Sequence, residues 1–315
     1  MDSMKPELLV VQPIYAPTLA ALERDFTVRR LWTEPDPPAY LARACGSVRA
    51  AITRTPIGFS RADFEALPKL ELLACYGPTV KLIDHAAAKE RRVAVTYTPD
   101  STAEPVADLA MGLIIAVMRG LCAADRFARS GEWRHRLFPP VRDVHGKTLG
   151  IVGFGKIGRA IAKRAAGFDL SLCYHGPRRK DDVAHPYFAD LAAMAREVDC
   201  LVVACPLTEA TRNLVDAKVL RTLGPEGFLV NISRGAVVDE EALIAALSKN
   251  EIAGAALDVF RDEPNIPAAL VGMEHVVLTP HIGTSTLEIR EGRSARLLAN
   301  IRAFFAGQPL IDKVD

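Results

Sequence analysis

The sequence predicts an α/β protein made of two doubly wound parallel-sheet domains, each with helices on its faces. Three observations lead there. The chain has 315 residues, and about 150 residues per domain is the usual scale. Short apolar runs of strand length alternate with helical segments from one end to the other. One such run, residues 148–152, passes straight into a glycine-rich turn and then a helix.

Composition narrows the class further. Half the residues are hydrophobic (50%) and 24% are charged, which is globular and excludes a disordered chain. Lys and Arg total 39 against 38 Asp and Glu, so the formal charge is +1. A balance that close offers no global attraction to nucleic acid or an anionic membrane, and neither is expected as a partner. None of the six cysteines is spaced as C-x-x-C. They read as reduced core residues of a cytoplasmic protein, with no disulfide framework and no metal site. The apolar stretch at residues 8–11 is too short for a signal-peptide core. The longest apolar run, residues 109–118, falls well short of the about 20 residues a membrane span needs.

The elements follow in order. Residues 8–11 read as a buried strand ended by Pro13, and a helix follows near residues 17–25. Apolar runs at 50–52, 70–75 and 93–95 continue the first α/β unit. A long helix begins near Ala103, with Pro105 in its first turn, where a missing N–H costs nothing. Apolar residues cover nearly every face of it over 106–118, so it is expected to be buried between domains. Residues 119–147, with Trp133, Phe138 and Pro139-Pro140, read as a helix and an extended arm. Six strands are then predicted, at 148–152, 170–174, 200–205, 228–232, 252–258 and 276–279. That is the strand count of a Rossmann-like unit. An amphipathic helix from about residue 286 stops at Gly307, with Pro309 just beyond.

The turn reads Gly153-Phe154-Gly155-Lys156-Ile157-Gly158, which is G-x-G-x-x-G. Alone it is a weak signal; between a strand and a helix it is a strong one. Gly153 permits the tight turn, Gly155 lets a pyrophosphate approach the backbone, and Gly158 lets helix and strand pack closely. The helix start offers unpaired N–H groups and a positive dipole end to phosphate. A carboxylate about 20 residues on would mark NAD. Here the second strand runs into His175-Gly176-Pro177-Arg178-Arg179-Lys180. Arg178 and Arg179 suit the 2′-phosphate of NADP through charge-assisted hydrogen bonds. NADP(H) is therefore the expected cofactor, with NAD(H) as the weaker alternative.

Three segments sit at predicted carboxyl ends of strands, where open α/β sheets bind ligands. They are Asn231-Ile232-Ser233-Arg234-Gly235, Asp258-Val259-Phe260-Arg261-Asp262-Glu263-Pro264 and Thr279-Pro280-His281-Ile282-Gly283. Arg, Glu and His are the parts for reducing a 2-oxo acid. A guanidinium clamps a carboxylate and polarises a ketone, and a His–Glu pair keeps a proton available near neutral pH.

With these segments the chain resembles the D-isomer-specific 2-hydroxyacid dehydrogenases, and among them the NADPH-linked glyoxylate/hydroxypyruvate, hydroxyphenylpyruvate and 2-ketogluconate reductases. The resemblance extends over nearly the whole chain and includes Val106 to Leu113, Arg129 to Trp133 and Leu201 to Pro206. It implies roles for matching residues. Arg234 would bind the substrate carboxylate and carbonyl, His281 would protonate the carbonyl oxygen, and Glu263 would pair with that histidine and favour its charged form. Asp258 would lie near the nicotinamide carboxamide. Cys205, Pro206, Thr211, Ile232, Ser233 and Gly283 would line the cofactor. Residues 1–100 plus 286–315 would form a substrate domain and 101–285 the cofactor domain, with a cleft between them. Dimers would form through the cofactor domain, which gives the 119–147 arm a role.

Arg54, Tyr76, Gly77, Pro78 and Thr79 are the further expected substrate contacts. The 76–80 loop departs from the family pattern: Thr79 stands where glycine is common, Lys81 where Asp is common, and Pro78 has no N–H to offer a carboxylate. Gly77 and Thr79 are left as the expected backbone donors. The rival reading is a non-catalytic NAD(P)-sensing protein resembling the corepressors related to these enzymes. Formate dehydrogenase, a third reading, pairs its histidine with Gln, and Glu263 argues against it.

Overall fold

The computed structural model describes residues 5–55, 57–99 and 102–314. The chain divides into two compact units, Met1–Ser101 with Leu287–Asp315, and Thr102–Thr286. The domain boundary read between residues 100 and 101 lies outside the described residues.

The first unit runs β1 (Glu7–Val10), α1 (Ala16–Asp25), β2 (Thr27–Arg30), α2 (Pro37–Ala44), β3 (Ala50–Arg54), α3 (Arg61–Glu65), β4 (Leu72–Tyr76), α4 (His85–Glu90) and β5 (Ala94–Tyr97). Its five strands are all parallel, in the order β2-β1-β3-β4-β5. That is a doubly wound sheet. β1, β3 and β4 are buried almost throughout, because helices cover both faces and both side-chain rows must be apolar. Alternate residues feed two cores: Leu9, Ala51 and Leu73 one, Leu8, Ile52 and Leu72 the other. β2 escaped the sequence reading because it is an edge strand, Thr-Val-Arg-Arg, with no fully buried residue and no apolar run.

The second unit opens with α5 (Ala103–Met118) and α6 (Leu121–Arg129), then runs β6 (Thr148–Val152), α7 (Lys156–Ala165), β7 (Ser171–His175), β8 (Tyr187–Phe188), α8 (Leu191–Arg196), β9 (Cys200–Val203), α9 (Ala217–Leu223), β10 (Phe228–Asn231), α10 (Glu240–Ser248), β11 (Gly254–Leu257), α11 (Ala268–Val271) and β12 (Val276–Leu278). Its strands are parallel, in the order β12-β11-β10-β9-β6-β7-β8. This is the Rossmann order with one strand added at the β12 edge. The sheet has seven strands where six were expected. The unforeseen one is β8, a two-residue edge strand too short to carry any periodicity. α5 has buried side chains on several faces, as expected, and they are accounted for within its own unit, where it packs on α7, β10, β11 and β12. Asp108, exposed on that helix, is paired with Arg164 at 2.6 Å.

α12 (Leu287–Phe305) returns to the first unit and buries Leu297 and Ile301 in the core beside Leu8 and Ile52. Each such side chain contributes about 1.5–3 kcal/mol. Beyond it the tail folds back, and Val314 N–H donates to the Val95 carbonyl at 2.8 Å, which covers the free edge of β5. Asp312 locks the tail. It is 7% exposed and accepts from Arg296 and, at 2.9 Å, from Asn300 Nδ2. Burial by itself raises this carboxyl; the Arg296 and Asn300 donors outweigh it and hold it below the ordinary carboxylate value. A depressed carboxylate stabilises the fold above its unfolded-state value and stops doing so as pH falls through its folded-state value. Asp312→Asn is thus expected to cost about 1–3 kcal/mol at neutral pH, with the difference from wild type closing below about pH 4. Denaturant melts across pH check this; a gap that stays constant into acid would refute it.

Candidate active site

β10, β11 and β12 lie side by side in register, with Asn231 opposite Leu257 and Leu257 opposite Leu278. Parallel neighbours are about 4.8 Å apart, so the three segments leaving their carboxyl ends emerge next to one another. Arg234, Glu263 and His281 each sit on one of them.

After β10, Asn231 builds the turn that presents Arg234. It is 1% exposed, its Oδ1 accepts from Ser233 N–H and Oγ, each at 3.1 Å, and its Nδ2 donates to the Arg234 carbonyl at 3.1 Å. Arg234 itself is exposed, with Nη1 on the Ser233 carbonyl at 2.6 Å. Gly235 follows because the β11 loop passes directly over it. A Cβ there would lie 1.9 Å from the Phe260 carbonyl carbon, so any side chain would push the arginine segment and the Glu263 segment apart.

After β11, the loop is tied at two points. Buried Glu240 accepts from Arg261 N–H at 3.1 Å, and Glu263 Oε1 accepts from Phe260 N–H at 3.1 Å. Glu263 Oε2 then meets His281 Nδ1 at 2.7 Å. The carboxylate selects the Nδ1–H form, which leaves Nε2 facing away from it as the group that gives or takes a proton. Both side chains remain partly accessible, 45% for His281 and 34% for Glu263.

His281 has φ +52°, in the left-handed region. Such a conformation costs about 1–3 kcal/mol and persists only when its surroundings enforce it. Asp258 does so. Its carboxylate, 1% exposed, accepts from Thr279 Oγ1 at 2.7 Å, Ile282 N–H at 2.8 Å and Gly283 N–H at 3.0 Å, bracketing His281 from both sides. Sequence reading placed Asp258 by the nicotinamide; in the structure three of its lone pairs are given to the histidine loop. Asn231 and Glu240, which set the other two loops, were missed, since a buried polar residue at a strand end or a helix start has no sequence signature of its own.

Across the switch point of this sheet, where the order reverses between β6 and β9, the glycine turn opens onto a cavity of about 480 Å³. Of the residues expected at the cofactor, Gly153, Phe154, Gly155, His175, Gly176, Arg178, Cys205, Pro206 and Thr211 line it. Gly153 has φ +94°, and a Cβ on it would lie 2.6 Å from the Cys205 backbone, so no other residue fits. Beside Gly155 the space is open, with nothing within 4 Å of the place a Cβ would take. That leaves room for a phosphate against the start of α7, so the residues present suit a dinucleotide. Burial pushes the Cys205 thiol up to about 11, which makes it a wall and not a nucleophile.

Other predicted contacts do not line this cavity. Gly158 instead packs α7 on the turn, where a Cβ would lie 2.4 Å from the Gly153 carbonyl oxygen. Lys156 and Ile157 occupy the first turn of α7, outside the lining. Ile232 is a core residue and Ser233 is committed to Asn231. Gly283 is buried on Asp258. Arg179 is also outside the lining, which takes Lys180 instead. Tyr174, Thr208 and Leu214 line the cavity unforeseen, since each reads from sequence as core or loop. Among the described residues no carboxylate is in the lining; Asp182 is paired with Arg159 at 2.8 Å.

In the first unit Arg54 and Tyr76 end β3 and β4. Arg54 Nη1 donates to the Pro13 carbonyl at 3.2 Å, and the Tyr76 hydroxyl donates to the Arg290 carbonyl at 3.3 Å. Pro78 is exposed. The expected role of Gly77 as a donor is corrected. Its N–H turns inward to Thr98 Oγ1 at 2.8 Å, because the residue is buried against Thr55. The Thr79 N–H lies 3.5 Å from Thr55 Oγ1, at the limit of a hydrogen bond.

The fold, the turn and the strand-end Arg, Glu and His together define a dinucleotide-dependent oxidoreductase. The chain belongs to the D-isomer specific 2-hydroxyacid dehydrogenase family, whose NAD-binding domain model matches residues 111–283. It is 43% identical to glyoxylate/hydroxypyruvate reductase A of Arabidopsis thaliana over 293 residues, 93% of this chain and 94% of that protein. A solved 2-hydroxyacid dehydrogenase from Ketogulonicigenium vulgare Y25 superimposes with TM-score 0.89 at 41% identity, covering 99% of both chains. An NADPH-dependent glyoxylate/hydroxypyruvate reductase from Sinorhizobium meliloti, solved with NADP and malonate, gives TM-score 0.80 at 35% identity, covering 98% of this chain and 97% of that one.

Proposed function

We propose that this chain reduces a small 2-oxo acid of the glyoxylate/hydroxypyruvate type to the D-2-hydroxy acid with NADPH. The observation that carries the reading is the His281–Glu263 pair at 2.7 Å, on the strand ends beside Arg234. When bound, the nicotinamide supplies a hydride to C2 of the acid. Arg234, exposed and always charged, pairs with the substrate carboxylate and draws electron density from the ketone. His281 delivers the proton from Nε2 to the carbonyl oxygen, while Glu263 steadies the imidazolium through Nδ1. Turnover on a 2-oxo acid separates this reading from a non-catalytic sensor.

NADPH is favoured over NADH by Arg178 and Lys180 in a cavity wall without a carboxylate. The plant and Sinorhizobium relatives, named for glyoxylate and hydroxypyruvate, support the substrate class. The second unit takes the cofactor in this reading, and the first unit the substrate, through Arg54, Tyr76 and the Thr79 loop. A homodimer is part of it, formed over the 119–147 arm, where Trp133 and Leu137 stand 70% and 84% exposed. So is a cytoplasmic location, in keeping with six free cysteines.

The test is nicotinamide oxidation followed with NADPH and NADH against glyoxylate, hydroxypyruvate, phenylpyruvate and 2-ketogluconate. Turnover is expected with NADPH, at a kcat/KM more than about tenfold above NADH, since a desolvated ion pair on the 2′-phosphate supplies that much discrimination. A clear preference for NADH would sink the coenzyme assignment. Tight cofactor binding without turnover on any of the four acids would sink the substrate assignment.

A further inference from the structure

Arg178 and Lys180 stand on a segment, residues 176–180, that has neither helix nor strand of its own. Long cationic side chains on a free loop would discriminate poorly, because ordering them at the moment of binding is entropically costly. Yet this segment is held at both ends by phenol groups. At its far end the Lys180 N–H donates to the Tyr174 hydroxyl at 2.8 Å. At its near end the Tyr187 hydroxyl donates to the Gly176 carbonyl at 3.0 Å.

Both tyrosines are themselves anchored. Tyr174 is 1% exposed, its ring 4.8 Å from that of Phe154 and 5.3 Å from that of Tyr187, centroid to centroid. Tyr187 belongs to the short edge strand β8, which is tied to β7 by the His175 Nδ1–H, donating to the Phe188 carbonyl at 3.0 Å. Phe154 is the first variable residue of the glycine turn, so the aromatic stack runs from the pyrophosphate site to the basic segment.

We propose that Tyr174 and Tyr187 are positioning residues for coenzyme choice: their hydroxyls pin Gly176 and Lys180 so that the cations at 178 and 180 are held over the adenosine 2′ position. The inference rests on the NADPH reading above. It also gives β8 a function: two residues of strand suffice to carry one of the two anchors.

NADH carries only a neutral hydroxyl at that position, so loosening the segment weighs on NADPH far more than on NADH. Tyr187→Phe keeps a ring that lies outside the cavity lining and removes only the hydroxyl donor to Gly176. Steady-state kinetics with each coenzyme, at saturating acid, are expected to show KM for NADPH raised about three- to tenfold, the span of one lost hydrogen bond. Values of kcat, and both constants with NADH, stay within about twofold. Arg178→Ala, measured in parallel, sets the full loss available when a cation is removed outright. Equal losses with both coenzymes, or a lowered melting temperature with the coenzyme ratio unmoved, would show a packing role only and overturn the proposal. If Tyr187→Phe does not fold, Tyr174→Phe reads the other anchor through the NADPH-to-NADH ratio, since the Tyr174 ring also lines the cavity. The wild-type ratio separates the two levels. No NADPH preference in the wild type defeats the coenzyme reading itself; a preference that survives in both variants defeats this inference alone.

Discussion

His281→Asn is expected to lower kcat by about 10²–10⁴-fold, the range that a positioned proton donor supplies. Asn is the substitution of choice because of the backbone. His281 has φ +52°, and Asn tolerates the left-handed region better than other non-glycine residues, so the loop is spared. What goes is the ionisable ring that Glu263 holds through Nδ1 at 2.7 Å. KM for the coenzyme is expected to be unchanged, because the cavity that takes it is lined by other residues. Stopped-flow single turnovers and a melting curve check the result. A loss below about threefold in a folded variant removes His281 from the proton-transfer role.

Asp258→Ala is expected to have the largest combined effect on stability and activity. The buried carboxylate accepts from Thr279, Ile282 and Gly283, and truncation leaves those donors without their acceptor. Each unsatisfied donor costs about 1–3 kcal/mol, and partial relaxation brings the expected total to about 3–5 kcal/mol. Activity follows, since nothing then offsets the strain at His281; kcat is expected to fall at least about tenfold, one pK-sized step of about 1.4 kcal/mol in positioning. Asp258→Asn, which keeps one acceptor oxygen, falls between. Urea midpoints and kcat are the measurements. An unmoved midpoint and kcat would refute the clamp, whereas a rise confined to KM for the coenzyme would return Asp258 to a nicotinamide contact.

Much of this site was legible before folding was considered. The glycine turn announces itself because its chemistry demands residue types at fixed spacing: Gly153 alone tolerates the Cys205 backbone, and Gly158 alone lets the helix close on the turn. Arg234, Glu263 and His281 stand out because each follows a buried apolar run, and strand ends are where such sheets bind ligands. The supports were read less well: Asp258 was assigned to the nicotinamide and Glu240 was missed, and both act through backbone groups 21 to 25 positions away, a pairing no local pattern encodes. The Gly77 donor was misjudged for the same reason, its N–H being taken by Thr98, 21 residues on. Edge strands β2 and β8 were invisible because they lack the two-sided burial that makes a strand read as an apolar run.

Class, strand count to within one per sheet, the glycine turn and the strand-end Arg234, Glu263 and His281 were thus written in one dimension, since each depends on residue type and nearby spacing. Which of the basic residues 178–180 face the cavity, the left-handed backbone at His281 and the clamps that maintain it came only with the tertiary structure. They are set by hydrogen bonds between residues 6 to 25 positions apart, whose partners meet only once the sheet has aligned its strands.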